Sequence, residues 1–443
     1  MVKTWKPTLR LEHSLQLNER LHRAVPGGAH TYAKGDDQFP EGLAPVIARG
    51  RGCRVWDVDD NEYIEYGMGL RAVTLGHGFP AVVEAVRARI GDGTNFVRPS
   101  AFELEVAESF LSLVPTAEMV KFTKDGSTAN TGAVKLARAL TGRDLVAICA
   151  DHPFYSYDDW AMVVTPLRAG IPRGVAELTL TFRYNDLGSV EELLDRHPGQ
   201  IACFILEPER TEPPRDDFLH RLQELARADG ALLVLDENVT GFRWDNGGAQ
   251  AVYGITPDLS TFGKGMANGF SLSALAGRRE LMERGGLRHD DDRVFLLSTT
   301  HGAEHASLAA GCAAMEVYRS EPVVATLDAR GERLRSGLEE VAAARGVGDS
   351  FTVAGKGCCL FYGTNDAAGV PSQAFRTLFL QEIVSRGLLA PSFVISYSHG
   401  DDDVDRTVEI VGEALAVYAD ALEGGVERFL RGRQVKSVYR ARN

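Results

Sequence analysis

Two short strand-like stretches end in side chains that can do chemistry together. Ala231, Leu232, Leu233, Val234 and Leu235 read as a strand buried on both faces, which delivers Asp236 and Glu237 at its C-terminal end. Leu259 to Phe262 reads as a second short strand, and it ends in Gly263-Lys264-Gly265, a lysine between two permissive neighbours. Open α/β sheets bind their ligands at the C-terminal ends of strands, so one carboxylate and one amine can face a single ligand. Pyridoxal phosphate needs such a pair: a lysine to hold its aldehyde as a Schiff base, and an aspartate to keep the pyridine nitrogen protonated so that the ring accepts electrons. A surface lysine and a strand-end aspartate would be spelled with the same letters, and spacing alone leaves both readings open.

A third candidate is the turn Asp125-Gly126-Ser127-Thr128-Ala129-Asn130, between the run Met119-Val120-Lys121-Phe122 and a helix through Leu140. A glycine and two hydroxyls at a helix start form a phosphate cradle, because unpaired backbone N–H groups and the helix dipole point there. A plain N-cap at Ser127 or Thr128 explains the same residues. Neither this turn nor Gly263-Lys264-Gly265 has the GxxxxGK[ST] spacing of a P-loop. Gly67-Met68-Gly69-Leu70-Arg71-Ala72 has the look of a dinucleotide fingerprint without the βαβ context that would give it meaning.

These residues need elements to hold them. Further short apolar strands are expected at Leu145 to Cys149, leading to the aromatic cluster His152-Pro153-Phe154-Tyr155-Ser156-Tyr157, and at Ile201 to Leu206, delivering Glu207-Pro208. Helices at Val190 to Arg196 and Phe218 to Ala228 alternate with them, which implies an α/β fold with a mostly parallel sheet. Val294 to Leu297 reads as a last strand before Ser298-Thr299-Thr300-His301-Gly302. Towards the N-terminus, Asn18 to Val25 is an amphipathic helix stopped by Pro26-Gly27-Gly28. The alternation on either side of Asp59-Asp60-Asn61 in the stretch from Arg54 to Tyr66 signals a hairpin. Beyond about 320, long helical patterns surround short strands near Cys358 to Tyr362 and Val394 to Tyr397, as in a smaller α+β lobe. The basic tail from Glu427 is expected to fray. The division expected is an N-terminal segment 1–75 joining the small lobe, a large cofactor domain 76–320 and a C-terminal small domain 321–443.

Composition narrows the function classes. The net charge of −13 disfavours a nucleic-acid backbone as partner. No run reaches the length of a membrane span, and the start of the chain lacks the apolar centre of a signal peptide, so a cytoplasmic protein is expected. The six cysteines are scattered, with no CxxC pair and no histidines at zinc spacing, which reads as buried thiols and no metal site.

Taken in order, Val25-Pro26-Gly27-Gly28, Asp57-Val58-Asp59, Leu75-Gly76-His77, Asp125-Gly126-Ser127-Thr128-Ala129, Glu207-Pro208, Asp236-Glu237-Asn238-Val239-Thr240-Gly241-Phe242-Arg243, Pro257-Asp258-Leu259-Ser260-Thr261-Phe262-Gly263-Lys264 and Leu389-Ala390-Pro391-Ser392 resemble the class III aminotransferases among the fold-type-I pyridoxal phosphate enzymes, in the branch that includes glutamate-1-semialdehyde aminomutase. The resemblance implies that Lys264 carries the Schiff base and Asp236 partners the pyridine nitrogen. It gives Gly126 and Ser127 the phosphate, sets Phe154 against one ring face and puts Glu207 beside the ring. It also implies that Thr300 reaches the phosphate of a neighbouring subunit's cofactor, hence a homodimer with shared sites. Asn238 stands where the family usually has a valine against the other ring face. Lys34 stands where the aminomutases carry an arginine clamp for a carboxylate, and lysine cannot make the bidentate fork. The loop after Ala390-Pro391-Ser392 is shorter than the aminomutase pattern and lacks its glutamate. The activity implied is transfer of an amino group between a small-molecule amine donor and a carbonyl acceptor, with an aminomutase, an epimerase and a non-catalytic cofactor-binding protein as alternatives. The missing clamp, the negative charge and the acidic runs at Asp158-Asp159, His289-Asp290-Asp291-Asp292 and Asp401-Asp402-Asp403 suggest a cationic amino-sugar or aminoglycoside carbonyl as one substrate.

Overall fold

A computed structural model describes residues 9–152 and 154–442. The first eight residues, Pro153 of the aromatic cluster and the terminal Asn443 lie outside the described residues. The chain forms two compact units, one of residues 9–70, 75–79 and 325–440, the other of residues 71–74, 80–324 and 441–442.

The second unit is built on seven strands. Across the sheet they run Met119–Thr123, Ser273–Gly277, Leu259–Phe262, Leu232–Asp236, Ile201–Leu206, Leu145–Cys149 and Thr179–Phe182. Ser273–Gly277 is antiparallel to both its neighbours, and every other pairing is parallel. All six residues of Ile201–Leu206 are buried, which is why this stretch reads as an unbroken apolar run, and all four of Leu259–Phe262 are buried although Ser260 and Thr261 are polar. The helix Gly126–Thr141 packs a stripe of Ala129, Ala133, Val134, Leu136 and Ala137 against the sheet and stops at Gly142, whose φ of 66° closes the C-terminus. Since Leu232–Asp236 pairs in parallel with both Ile201–Leu206 and Leu259–Phe262, the residues that follow these strands, Glu207, Asp236–Glu237 and Lys264, leave the sheet at one edge.

One expected strand is absent. Val294 to Leu297 is irregular: Val294 and Leu296 are buried and Phe295 exposed, which mimics strand alternation, but Leu297 takes φ +47° and no neighbouring strand pairs with the segment among the described residues. The Gly67 to Ala72 stretch is a left-handed turn, with positive φ at Met68, Gly69, Leu70 and Arg71, and not a strand-to-helix crossing.

The first unit combines the hairpin Arg54–Asp57/Glu62–Glu65, a three-stranded sheet of Phe351–Ala354, Cys359–Thr364 and Phe393–Val394, and the helices Glu12–Ala24, Gln373–Val384 and Asp401–Gly424. Its tail does not fray as expected. Arg433 donates to the backbone carbonyls of Asp36, Asp37 and Phe39, and its own N–H goes to Glu41. Lys436 N donates to the Asp37 carbonyl, and Arg440 pairs with the Asp37 carboxylate at 2.6 Å. The tether lies almost 400 positions away along the chain, so no local pattern announces it. No described helix is long and apolar enough to cross a membrane, and no described group of three or more His, Cys, Asp and Glu side chains is placed to hold a metal.

Candidate active site

Asp236 is buried and takes three N–H donors. Asn238 donates to Oδ1 from both its backbone N (2.9 Å) and its Nδ2 (2.7 Å), and Asn130 Nδ2 donates to Oδ2 (2.8 Å). Asn130 is itself fixed, with Nδ2 also on the Tyr155 carbonyl at 2.7 Å and Oδ1 accepting from Thr261 Oγ1 at 2.5 Å. The carboxylate is therefore held in one orientation by a network whose members come from the helix after the glycine turn, the strand before Lys264 and the aromatic loop. Burial raises the Asp236 pKa and the charge on Glu207 adds to it, against Lys264 and the hydrogen bonds from Asn238 and Asn130.

Lys264 opens a 3₁₀ turn with φ +40°, a left-handed conformation that a lysine adopts only when its surroundings fix it. Among the described residues no hydrogen bond or ion pair holds its Nζ. Burial lowers its pKa, Arg71 and Arg210 push the same way, and the carboxylates of Asp236 and Glu207 oppose them. The amine thus loses its proton more easily than a surface lysine does, which suits a group that must act as a nucleophile and a base.

Glu207 is buried at the same edge. Its N–H donates to His152 Nδ1 at 3.1 Å, and its Oε1 accepts from Arg210 at 2.9 Å. Burial works to raise its pKa, but Arg210, His152 and Lys264 together hold it below the ordinary carboxylate range. Its neighbour in the sheet, Glu237, has a different task. Its carboxylate accepts the N–H groups of Ala249 and Gln250 and the Thr240 hydroxyl, and burial pushes it up to about 7.

At the glycine turn the N-cap is Asp125, whose Oδ1 accepts the Thr128 N–H at 2.8 Å. Ser127 and Thr128 are thereby relieved of capping, and the N–H groups of Gly126 and Ser127 find no acceptor among the described residues. Two orphan donors at the start of a sixteen-residue helix form an anion seat. Asn238 borders it: an added Cβ would lie 2.5 Å from Asn238 Oδ1 if placed on Gly126, and 2.4 Å if placed on Gly263. That Oδ1 is buried without a partner among the described residues, a state that costs about 1–3 kcal/mol.

The structure brings Asp236, Glu207, Asn238 and Lys264 to one edge, with the Gly126–Ser127 turn against Asn238. Phe154 is 45% exposed and makes no ring contact among the described residues, whereas its neighbour Tyr155 is buried. Thr300 is exposed, with its carbonyl accepting Asn95 Nδ2 at 3.1 Å. Sequence reasoning missed Asn130, Thr261 and Arg210. Asn130 left one trace, a lone amide on the otherwise small and apolar face of its helix. A partner-free amine, a carboxylate with a fixed orientation and an anion seat are the donor set that pyridoxal phosphate requires, and the residues present fit it.

The profile of the aminotransferase class-III family matches residues 32–393. The chain is 33% identical over 429 residues to a glutamate-1-semialdehyde 2,1-aminomutase of Syntrophobacter fumaroxidans, covering 91% of this chain and 97% of that protein. Among solved structures, the PLP internal aldimine form of the FumI protein of Sphingopyxis sp. MTA144 matches with a TM-score of 0.83 at 27% identity, over 92% of this chain and 97% of that one. An omega-transaminase from Sphaerobacter thermophilus matches with a TM-score of 0.79 at 28% identity, over 90% and 96% of the two chains.

Proposed function

We propose, since this chain belongs to the class III aminotransferase family and is a pyridoxal-phosphate enzyme of fold type I, that it moves an amino group from an amine donor to a carbonyl acceptor. When bound, the cofactor supplies an aldehyde that condenses with amines and a protonated ring that takes up the electrons of a broken C–H bond. Lys264 Nζ is the group that would hold the aldehyde and, when free, would carry a proton as the base its lowered pKa allows. Asp236 would keep the ring nitrogen protonated, because its three N–H donors favour the ionised carboxylate and fix its orientation. Gly126 and Ser127 would hold the phosphate, and Phe154, Asn238 and Glu207 are the side chains that would border the ring.

The observation that carries this reading is the Lys264 amine, unpaired among the described residues, beside a fixed Asp236. Its test is a single-turnover assay of the cofactor-loaded protein with an amine donor alone. The expected yield is one carbonyl product per subunit, with further turnover only when a second carbonyl compound is added. The 33% identity to a named aminomutase supports a second reading, in which one molecule is both donor and acceptor. Steady conversion of glutamate-1-semialdehyde with no other amine would favour it, and solvent deuterium entering recovered amine without net conversion would favour an epimerase.

The acceptor proposed is a cationic amino-sugar or aminoglycoside aldehyde or ketone. The net charge and the exposed Lys34 in place of an arginine support it. The acidic runs support it less, because Asp158 accepts from Thr131 and Asp403 is held by Arg54 within the fold. Catalytic efficiency for such a sugar should exceed that for an uncharged sugar aldehyde at low salt and converge with it at high salt, and no preference at either salt would remove this substrate class.

The working form proposed is a cytoplasmic homodimer. The loops around Thr300 support it: Asn95 and Thr94 bond to Thr300 and His305, and they present Phe96, Val97 and Phe295 to solvent, Val97 in full. Apolar side chains exposed together mark an association surface.

A further inference from the structure

We infer that Asn238 is a positioning residue for Asp236, and that its side-chain amide sets how firmly the chain grips the ring nitrogen of its cofactor. The inference rests on the pyridoxal-phosphate reading of this site and names a residue through which that grip is adjusted.

The orientation of the amide is decided by its neighbours. Nδ2 spends its two hydrogens on Asp236 Oδ1 at 2.7 Å and on Thr261 Oγ1 at 3.3 Å, and Thr261 passes its own hydrogen to Asn130 Oδ1 at 2.5 Å. Turning the amide over would set its oxygen against the Asp236 carboxylate and against a hydroxyl that already donates elsewhere, so the network fixes which end is nitrogen. The carbonyl end gains nothing from this arrangement. Oδ1 is buried, has no partner among the described residues, and lies in the gap left by the missing side chains of Gly126 and Gly263. A valine would fill the same volume without an orphan acceptor. The value of an amide here therefore lies at its nitrogen, on Asp236.

Without Nδ2, Asp236 Oδ1 keeps only the main-chain N–H of Asn238, and the Thr261–Asn130 pair loses its link to that side of the carboxylate. The carboxylate can then turn away from the direction in which Asn130 and Asn238 jointly hold it. A looser carboxylate weakens only what depends on the ring nitrogen.

The test uses two ligands and two variants, with affinity as the readout. Dissociation constants for pyridoxal phosphate, and for its analogue with carbon in place of the ring nitrogen, are measured on apoprotein by equilibrium dialysis. They are compared among the wild type, Asn238→Val and Asn238→Ala, the last adding no atom and keeping the main-chain bond. The expected result is a rise of at least fivefold for pyridoxal phosphate in both variants, with the analogue changed by less than twofold. An equal loss for both ligands would make Asn238 a packing residue and overturn the inference. So would unchanged affinities, or a failure of both variants to fold. A wild-type protein that binds the cofactor but yields no carbonyl product from any amine would sink the transfer reading and leave this ratio standing.

Discussion

Gly126→Ala is the substitution whose outcome the site geometry decides most sharply. Gly126 is the first residue of the helix Gly126–Thr141 and does not need positive φ, so on helix preference alone alanine should stabilise the protein by up to about 1 kcal/mol. Its Cβ, however, would lie 2.5 Å from Oδ1, 2.7 Å from Cγ and 2.8 Å from Nδ2 of Asn238. The amide must swing aside, which breaks the 2.7 Å bond to the Asp236 carboxylate. A hydrogen bond to a charged group is worth about 1.5–3 kcal/mol, so the net expectation is a loss of roughly 1–2 kcal/mol. In an Asn238→Ala background those three atoms are gone, and the same alanine should be neutral or stabilising. The loss disappears or changes sign between backgrounds, with a coupling of about 1–3 kcal/mol, within the range for residues in direct contact. The assay is urea unfolding of the four apoproteins, with circular dichroism as the readout and the midpoints as the comparison. Equal destabilisation by Gly126→Ala in both backgrounds would refute the wedge between Asn238 and the helix start.

Three further outcomes are expected. Lys264→Ala should lower multiple turnover by at least about 10³-fold while the melting temperature holds, because no described hydrogen bond or ion pair is lost with the side chain; retained turnover would refute its assignment. Mixing Lys264→Ala chains with Thr300→Ala chains should restore activity above either parent if the threonine serves the partner's site, and subunit exchange without recovery would confine Thr300 to its own chain. Burial holds His399 down to about 4 against an ordinary 6.5. As the pH falls, the unfolded chain therefore takes up its proton first. The stability contributed by the neutral ring is complete above about 6.5 and lost between there and about 4, on the order of a few kcal/mol in all. The pH dependence of the urea midpoint should flatten over that window in His399→Asn, and an unchanged slope would contradict it.

Much of this site could be read directly from the letters. Asp236 and Glu207 each end a short apolar run and Lys264 follows a short strand, and a parallel sheet turns that pattern into a shared edge without further information. The N-cap was harder, because Asp125, Ser127 and Thr128 are all competent caps and only the fold shows that Asp125 takes the role. Asn130 and Thr261 stayed hidden because their partners are 131 positions apart in sequence, and nothing local distinguishes a buried amide with a task from a tolerated one. Val294 to Leu297 misled for a physical reason: burial alternates in any extended segment that runs along a core, whether or not a neighbouring strand pairs with it.

The pairing of Leu388 and Leu389 with Ile64 and Glu65 bears on how the chain is made. Ile64 N donates to the Gly387 carbonyl and Tyr66 N to that of Leu389, so an edge formed early in synthesis is completed by residues more than 300 positions later. The carbonyls of Asp36, Asp37 and Phe39 wait longer still, for Arg433. At about 5–20 residues per second, the stretch from 324 to 440 takes roughly 6–23 s to emerge from the ribosome. Most of the second unit, residues 80–324, is one contiguous stretch that is complete before this interval begins. During that interval the first seventy residues carry an open strand edge and unpaired carbonyls on the nascent chain. This is the period in which a chaperone, or a slower elongation rate over the last hundred codons, has most influence on the yield of folded protein.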